Sequence, residues 1–121
     1  MKLLCIEDNA ELVESLRHFL AAESSILNAS TGTEGLRLAE KRHYDAIILD
    51  LGLPDMAGLD VCVELRRVNA KIPILVLSGS KDSNTKVALF KAGTDDYMTK
   101  PFTIAELRAR LFALLKRGQL R

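Results

Sequence analysis

Apolar residues recur along this chain in short runs separated by stretches of helical period. The runs are LLCI at 3–6, SSILNA at 24–29, AIIL at 46–49, PILVL at 73–77 and the weaker DDYMT at 95–99. Each has the length of a strand and is rich in β-branched or large aliphatic residues. Between them, residues 10–22 place Leu12, Leu16, Phe19 and Leu20 on one face of a predicted helix, and residues 57–68 do the same with Leu59, Val61, Cys62 and Leu65. Residues 33–42, 82–92 and 103–117 predict three more helices, the last with Leu107, Leu111, Leu114 and Leu115 as its stripe. Helix starts are signalled by Thr31 or Thr33, by Ser83, and by Thr103 with Glu106 three residues on, the spacing of a capping box.

Five strand-helix repeats in strict alternation imply parallel strands joined by right-handed crossovers, and so an α/β sheet with helices on both faces. The first, third and fourth strands are apolar nearly throughout, as strands buried on both faces are. The second and fifth are more polar and belong at the edges. The order 2-1-3-4-5 satisfies this pattern, a flavodoxin-like arrangement that binds ligands beyond the carboxyl ends of its strands, where strands 1 and 3 diverge.

The residues just past those ends carry the candidate chemistry. Glu7 and Asp8 follow strand 1, Asp50 follows strand 3, Ser78 and Gly79 follow strand 4, and Lys100 with Pro101 follows strand 5. At an effective dielectric constant of about 20, two carboxylates about 4 Å apart repel by about 4 kcal/mol, so three on one rim call for a cation. Magnesium suits them, being a hard ion that takes one or two carboxylates together with phosphate oxygens. Lys100 is a point charge fitted to a phosphoryl oxygen and the Ser78 hydroxyl can donate to another. The set points to phosphoryl transfer with a carboxylate as nucleophile.

Composition narrows the alternatives. A chain of 121 residues with 48% apolar residues fits one domain over residues 1–121. A formal charge of +1 is far from that of a free-standing nucleic-acid binder. Cys5 and Cys62 lie in apolar stretches and read as buried thiols of a reducing compartment, and with His18 and His43 on separate elements they offer no zinc spacing. MKLLCIEDNAEL meets its acids too early for a signal peptide, and no apolar run is long enough to span a membrane, which predicts a cytoplasmic protein. GSKDS at 79–83 lacks the spacing of a phosphate loop, and no GxGxxG follows strand 1.

IEDN at 6–9, LDLGLPDMAG at 49–58, LSG at 77–79 and GTDDYMTKPF at 93–102 together resemble the response regulator receiver domains of two-component signalling, over essentially the whole chain. The resemblance implies that Asp50 accepts a phosphoryl group from the phosphohistidine of a histidine kinase or phosphotransfer protein. It implies magnesium held by Glu7, Asp8 and Asp50, Asp8 directly and Glu7 through water, with the Gly52 backbone carbonyl as a further ligand. Ser78 and Lys100 would contact the phosphoryl oxygens, Tyr97 would be the switch aromatic that answers Ser78, and the Lys100–Pro101 peptide would be cis. It further implies a signalling switch rather than an enzyme, with magnesium-dependent self-phosphorylation and self-dephosphorylation.

The form DDYMTKPF followed by AELRARLFALLKR is most similar to receivers attached to winged-helix DNA-binding domains, whose output is transcription. In those a homodimer forms through helix 4, strand 5 and helix 5, which places Lys86, Val87, Asp95, Asp96, Glu106 and Arg110 on a candidate dimer face. Leu89 departs from the glycine usual there. The domain itself is expected to bind no nucleic acid, and the chain reads either as a free-standing receiver or as the regulatory half of a longer protein.

Plainer readings exist for most of these residues. Asp8 with Glu11 forms a plausible helix cap, Gly52, Pro54 and Asp55 are turn formers, and the basic ending from Arg108 to Arg121 is a solvated helix face. A different class of reading is an interaction module of the same shape that works without phosphorylation.

Overall fold

In the computed structural model, which describes residues 1–79 and 83–119, the five apolar runs form β1 (Lys2–Ile6), β2 (Ser25–Ala29), β3 (Ala46–Asp50), β4 (Ile74–Ser78) and β5 (Asp96–Thr99). The intervening segments form α1 (Ala10–Phe19), α2 (Gly32–Lys41), α3 (Gly58–Val68), α4 (Ser83–Ala92) and α5 (Ile104–Gln119). All pairings are parallel and the strand order is β2-β1-β3-β4-β5. Polarity explains that order. Every residue of β3 and β4 is buried, whereas β2 buries only Ala29 and β5 only Tyr97 and Met98.

Side chains alternate between the two faces of the sheet, as a pleated strand requires. Leu4, Ile6, Ile47, Leu49, Ile74 and Val76 share one core with Val61, Cys62 and Leu65 of α3 and Leu89 of α4. Leu3, Cys5, Ile48, Leu75 and Leu77 share the other with Val13 and Leu16 of α1 and Leu107, Leu111 and Leu114 of α5. Among the described residues no helix is long and apolar enough to cross a membrane.

The helices differ from the sequence reading in local detail. Asn9, not Asp8, caps α1: its side chain accepts from the Leu12 amide at 3.2 Å. The helix ends at Phe19, because the Leu20 amide still donates to Leu16 O while the Leu20 carbonyl turns to the Glu23 and Ser24 amides. Its buried stripe is Val13, Leu16 and Leu20, which leaves Phe19 47% exposed. In α3, Val61, Cys62 and Leu65 are buried as the period predicts, but Leu59 is 39% exposed. Thr31 caps α2 by accepting from Glu34 N, and the Thr103 hydroxyl accepts from Glu106 N at 3.1 Å before α5. Ser83 is the first residue of α4, so the cap of that helix lies outside the described residues.

Candidate functional site

Hydrogen bonds of the sheet continue one residue past several strands and fix the rim. Glu7 N donates to Ala29 O at 2.9 Å, Leu51 N to Leu77 O at 3.0 Å and Lys100 N to Ser78 O at 2.7 Å. Asn28, on the edge strand, donates from its side-chain amide to the carbonyls of Cys5, Glu7 and Ala29, tying β2 to the residue that follows β1. Acids far apart in sequence are thereby placed side by side: one carboxylate oxygen each from Glu7, Asp8 and Asp50 lies within 4.8 Å of the others. Glu7 and Asp50 are buried and Asp8 is exposed, so the cluster opens to solvent on one side.

Lys100 completes the set. Its Nζ stands 3.0 Å from Asp50 Oδ1 and 3.6 Å from Glu7 Oε1, and the Lys100–Pro101 peptide is cis. Burial works against the ammonium, but its bond to Asp50 and the charges of Asp50 and Glu7 outweigh that and hold its pKa above the ordinary lysine value. Burial, and then the Asp50 carboxylate beside it, push the Glu7 carboxyl up to about 7. One Glu7 oxygen accepts from the Asp8 amide at 3.0 Å and the Asn9 amide at 3.4 Å. The other, Oε1, is buried without a hydrogen-bond partner among the described residues.

That orphaned oxygen is the observation that tests a metal here. A buried acceptor left unsatisfied costs about 1–3 kcal/mol, and more when charged. Three acids and one ammonium leave two negative charges when all are ionised, which a single divalent cation balances. The donors are all hard oxygens and one side is open to water, so the residues fit magnesium. Gly52 is next to the cluster, since a Cβ there would stand 3.4 Å from Asp50 Oδ2, in ordinary contact with the carboxylate.

The remaining predicted residues take varied positions. Ser78 ends β4 at the rim and is buried. Tyr97 is buried in the core beneath α4, with Lys86 Nζ 5.3 Å from the centre of its ring. On the surface of β5 and α5, Arg110 bonds both Asp96, at 3.2 Å, and Glu106, at 3.3 Å, while Val87 is exposed on α4. Asp95 is set apart from that surface, being bonded by Arg66 at 2.8 Å and by the Ile74 amide at 2.8 Å. Cys5 and Cys62 are buried free thiols, and burial, with Glu7 adding to it, pushes Cys5 up to about 12.

Sequence reasoning passed over Asn28 and Arg66 and took Asp55 for a turn former. Each has a partner more than twenty residues away, Glu7 for Asn28, Asp95 for Arg66 and Thr33 for Asp55, so only the residue types, an amide, a guanidinium and a carboxylate beside turns, offered any signal.

Comparison with known proteins agrees with this geometry. Residues 3–112 match the family model described as response regulator receiver domain. The chain is 42% identical over 120 residues to the cell cycle transcriptional regulator CtrA of Caulobacter vibrioides, an alignment covering 98% of this chain and 52% of that protein. It therefore spans about half the length of the curated relatives it matches. Among solved structures, the receiver domain of the Francisella response regulator 1452 superposes with a TM-score of 0.88 at 32% identity, covering 96% of this chain and 97% of that one. The receiver domain of the sensor histidine kinase PA1611 from Pseudomonas aeruginosa, which has a magnesium ion coordinated in its active-site cleft, superposes with a TM-score of 0.84 at 28% identity, covering 95% and 97%. The fold, the acidic rim with its lysine and these matches lead to one assignment: the chain belongs to the response regulator receiver domains, the phosphorelay receivers of two-component systems.

Proposed function

We propose that Asp50 is the phosphoacceptor and that Glu7, Asp8, Asp50 and the Gly52 carbonyl hold magnesium beside it. The single observation that supports this most is the Lys100 ammonium 3.0 Å from Asp50 Oδ1 inside a rim where Glu7 Oε1 has no hydrogen-bond partner. An Asp50 oxygen attacks the phosphorus of a phosphohistidine on a histidine kinase or phosphotransfer protein. The new oxygen–phosphorus bond forms as the phosphorus–nitrogen bond breaks, and the electron pair leaves with the imidazole. Bound magnesium supplies charge neutralisation to the incoming phosphoryl oxygens. Lys100 adds a second positive charge at those oxygens and the Ser78 hydroxyl donates a hydrogen bond to one of them. The same chemistry allows self-phosphorylation from a small phosphodonor, and water attack on the acyl phosphate returns Asp50.

The modification then acts as a switch. Ser78 and Tyr97 bias two arrangements of the surface built from α4, β5 and α5, a shift of populations rather than a new fold. A homodimer through that surface would draw on Lys86, Val87, Asp96, Glu106 and Arg110, with Asp95 already engaged by Arg66. Similarity to a transcriptional regulator supports control of transcription in the cytoplasm as the output.

Intact-mass measurement after incubation with magnesium and acetyl phosphate tests the reading. The expected result is one phosphoryl adduct on the wild type and none on Asp50→Asn. An adduct that survives the substitution would remove Asp50 as the acceptor, and none on the wild type would leave a receiver-shaped module that works without phosphorylation.

A further inference from the structure

The loop at 51–57, between β3 and α3, carries Gly52, and its two ends are held by different means. At one end the Leu51 amide extends the β3 ladder to Leu77 O at 3.0 Å. At the other, the Asp55 carboxylate accepts three hydrogen bonds from the start of α2: Gly32 N at 2.8 Å, Thr33 N at 2.9 Å and the Thr33 hydroxyl at 2.7 Å. The amides of Thr33 and Gly32 and the Thr33 hydroxyl pull the Asp55 carboxyl down to about 2, so it is ionised throughout the physiological range. The contact beside it is close. A Cβ on Gly32 would stand 3.0 Å from Met56 Sδ, so α2 and this loop approach as nearly as glycine allows.

Only residues 52–54 lie between the two anchors, and one of them is Pro54, whose φ is fixed by its ring. A segment that short, pinned at both ends, has little freedom. Gly52 sits within it and against Asp50 Oδ2. We propose that Asp55 is a positioning residue for the phosphorylation site: by clasping the first turn of α2, it holds the Gly52 backbone where its carbonyl meets the metal beside Asp50.

The proposal rests on the reading of Glu7, Asp8, Asp50 and Gly52 as a magnesium site. Its rival is a clasp that serves the fold alone, since an acid bonded to a helix N-terminus stabilises the helix whatever else it does. The two roles move different quantities. A clasp for the fold alone changes melting and leaves magnesium affinity unaltered below the melting range. A positioning clasp changes affinity while the protein is fully folded.

Magnesium titration followed by amide NMR separates them, using the wild type, Asp55→Ala, Asp55→Asn and Thr33→Val at a temperature where each is folded. The expected result is a dissociation constant about 10-fold higher for Asp55→Ala, the scale of supporting groups around metal sites, with smaller rises for Asp55→Asn and Thr33→Val. Phosphorylation by acetyl phosphate should be slow in these variants at low magnesium and recover at saturating magnesium. Equal dissociation constants in every folded variant would overturn the proposal. Should Asp55→Ala fail to fold, the two milder substitutions decide it. A wild type whose Asp8 and Asp50 amides ignore magnesium would overturn the metal reading itself, and that outcome is visible before any variant is made.

Discussion

Two carboxylate sites, one partly buried and one buried, lie at opposite ends of the β4 and β5 pair, and they are built on opposite plans. At the entry to β5, Asp95 faces Arg66, whose guanidinium also bonds the carbonyls of Gly93, Ile72 and Asn69, while the Ile74 amide bonds the same Asp95 oxygen. The backbone is adapted to that cation: Gly93 has φ +106°, and a Cβ there would stand 2.9 Å from Arg66 Nε. At the exits of the strands, two buried carboxylates share one lysine, and a buried oxygen of Glu7 goes unbonded. The first site is satisfied by the chain itself and works as a brace. The second is short of positive charge, which is the condition for binding a cation and an anionic phosphoryl group together.

The comparison can be broken most severely at the brace. Arg66→Ala leaves Asp95 without its ion pair and strips donors from the Gly93 and Ile72 carbonyls, so it should cost about 2–3 kcal/mol in urea unfolding, less than breaking a fully buried pair because both groups keep some contact with water. A loss below about 1 kcal/mol would mean the brace is solvated and the contrast false.

At the rim the expected sign is reversed. Without magnesium, Asp50→Asn removes one of two crowded charges and should stabilise the fold by about 1–2 kcal/mol, since the repulsion it relieves outweighs the lost bond to Lys100, which can turn to Glu7. Magnesium should raise the melting temperature of the wild type more than that of the variant, because binding to the native state alone stabilises by mass action. Equal shifts would count against the site.

A gentler way to sharpen the contrast is pH. The folded Glu7 carboxyl titrates near 7, against an ordinary value of 4.5. Between those values the folded protein keeps a proton that the unfolded chain has released, so rising pH should remove stability across that window and no more above it. Measured without magnesium, the urea midpoint should fall between pH 5 and 7.5, and Glu7→Gln should flatten the slope. A midpoint that rises over that window would show that Glu7 is ionised in the folded state.

The plan of the sheet was legible because burial writes itself into local composition. Strands apolar throughout had to be central, and SSILNA and DDYMT had to be edges. The rim was legible for a related reason: a parallel sheet puts whatever follows each strand on one side, so Glu7, Asp8, Asp50, Ser78 and Lys100 could be assembled without coordinates. Choices between near-equals were not legible. Asp8 and Asn9 are equally good caps, and where β1 ends decided for Asn9. Phe19 and Leu59 fit a helical period as well as their neighbours, and the facing surfaces of the sheet selected Val13 and Leu16 in one case and Val61 and Leu65 in the other. Asp95 shows the largest gap. It reads as a surface acid beside Asp96, but pairs with Arg66 twenty-nine residues earlier, a partner that no local pattern names.

The strand order also fixes a schedule. A ribosome releases Glu7 and Asp8 first and Asp50 later, while Lys100 emerges fifty residues after Asp50 on the segment that follows β5, the sheet's last strand in chain order. Until β5 docks on β4, the acids have no ammonium to meet and nothing holds Lys100 at the rim. A chain that stops short of β5 therefore lacks the rim's ammonium, and Asp50 gains its lysine partner only when the sheet is whole.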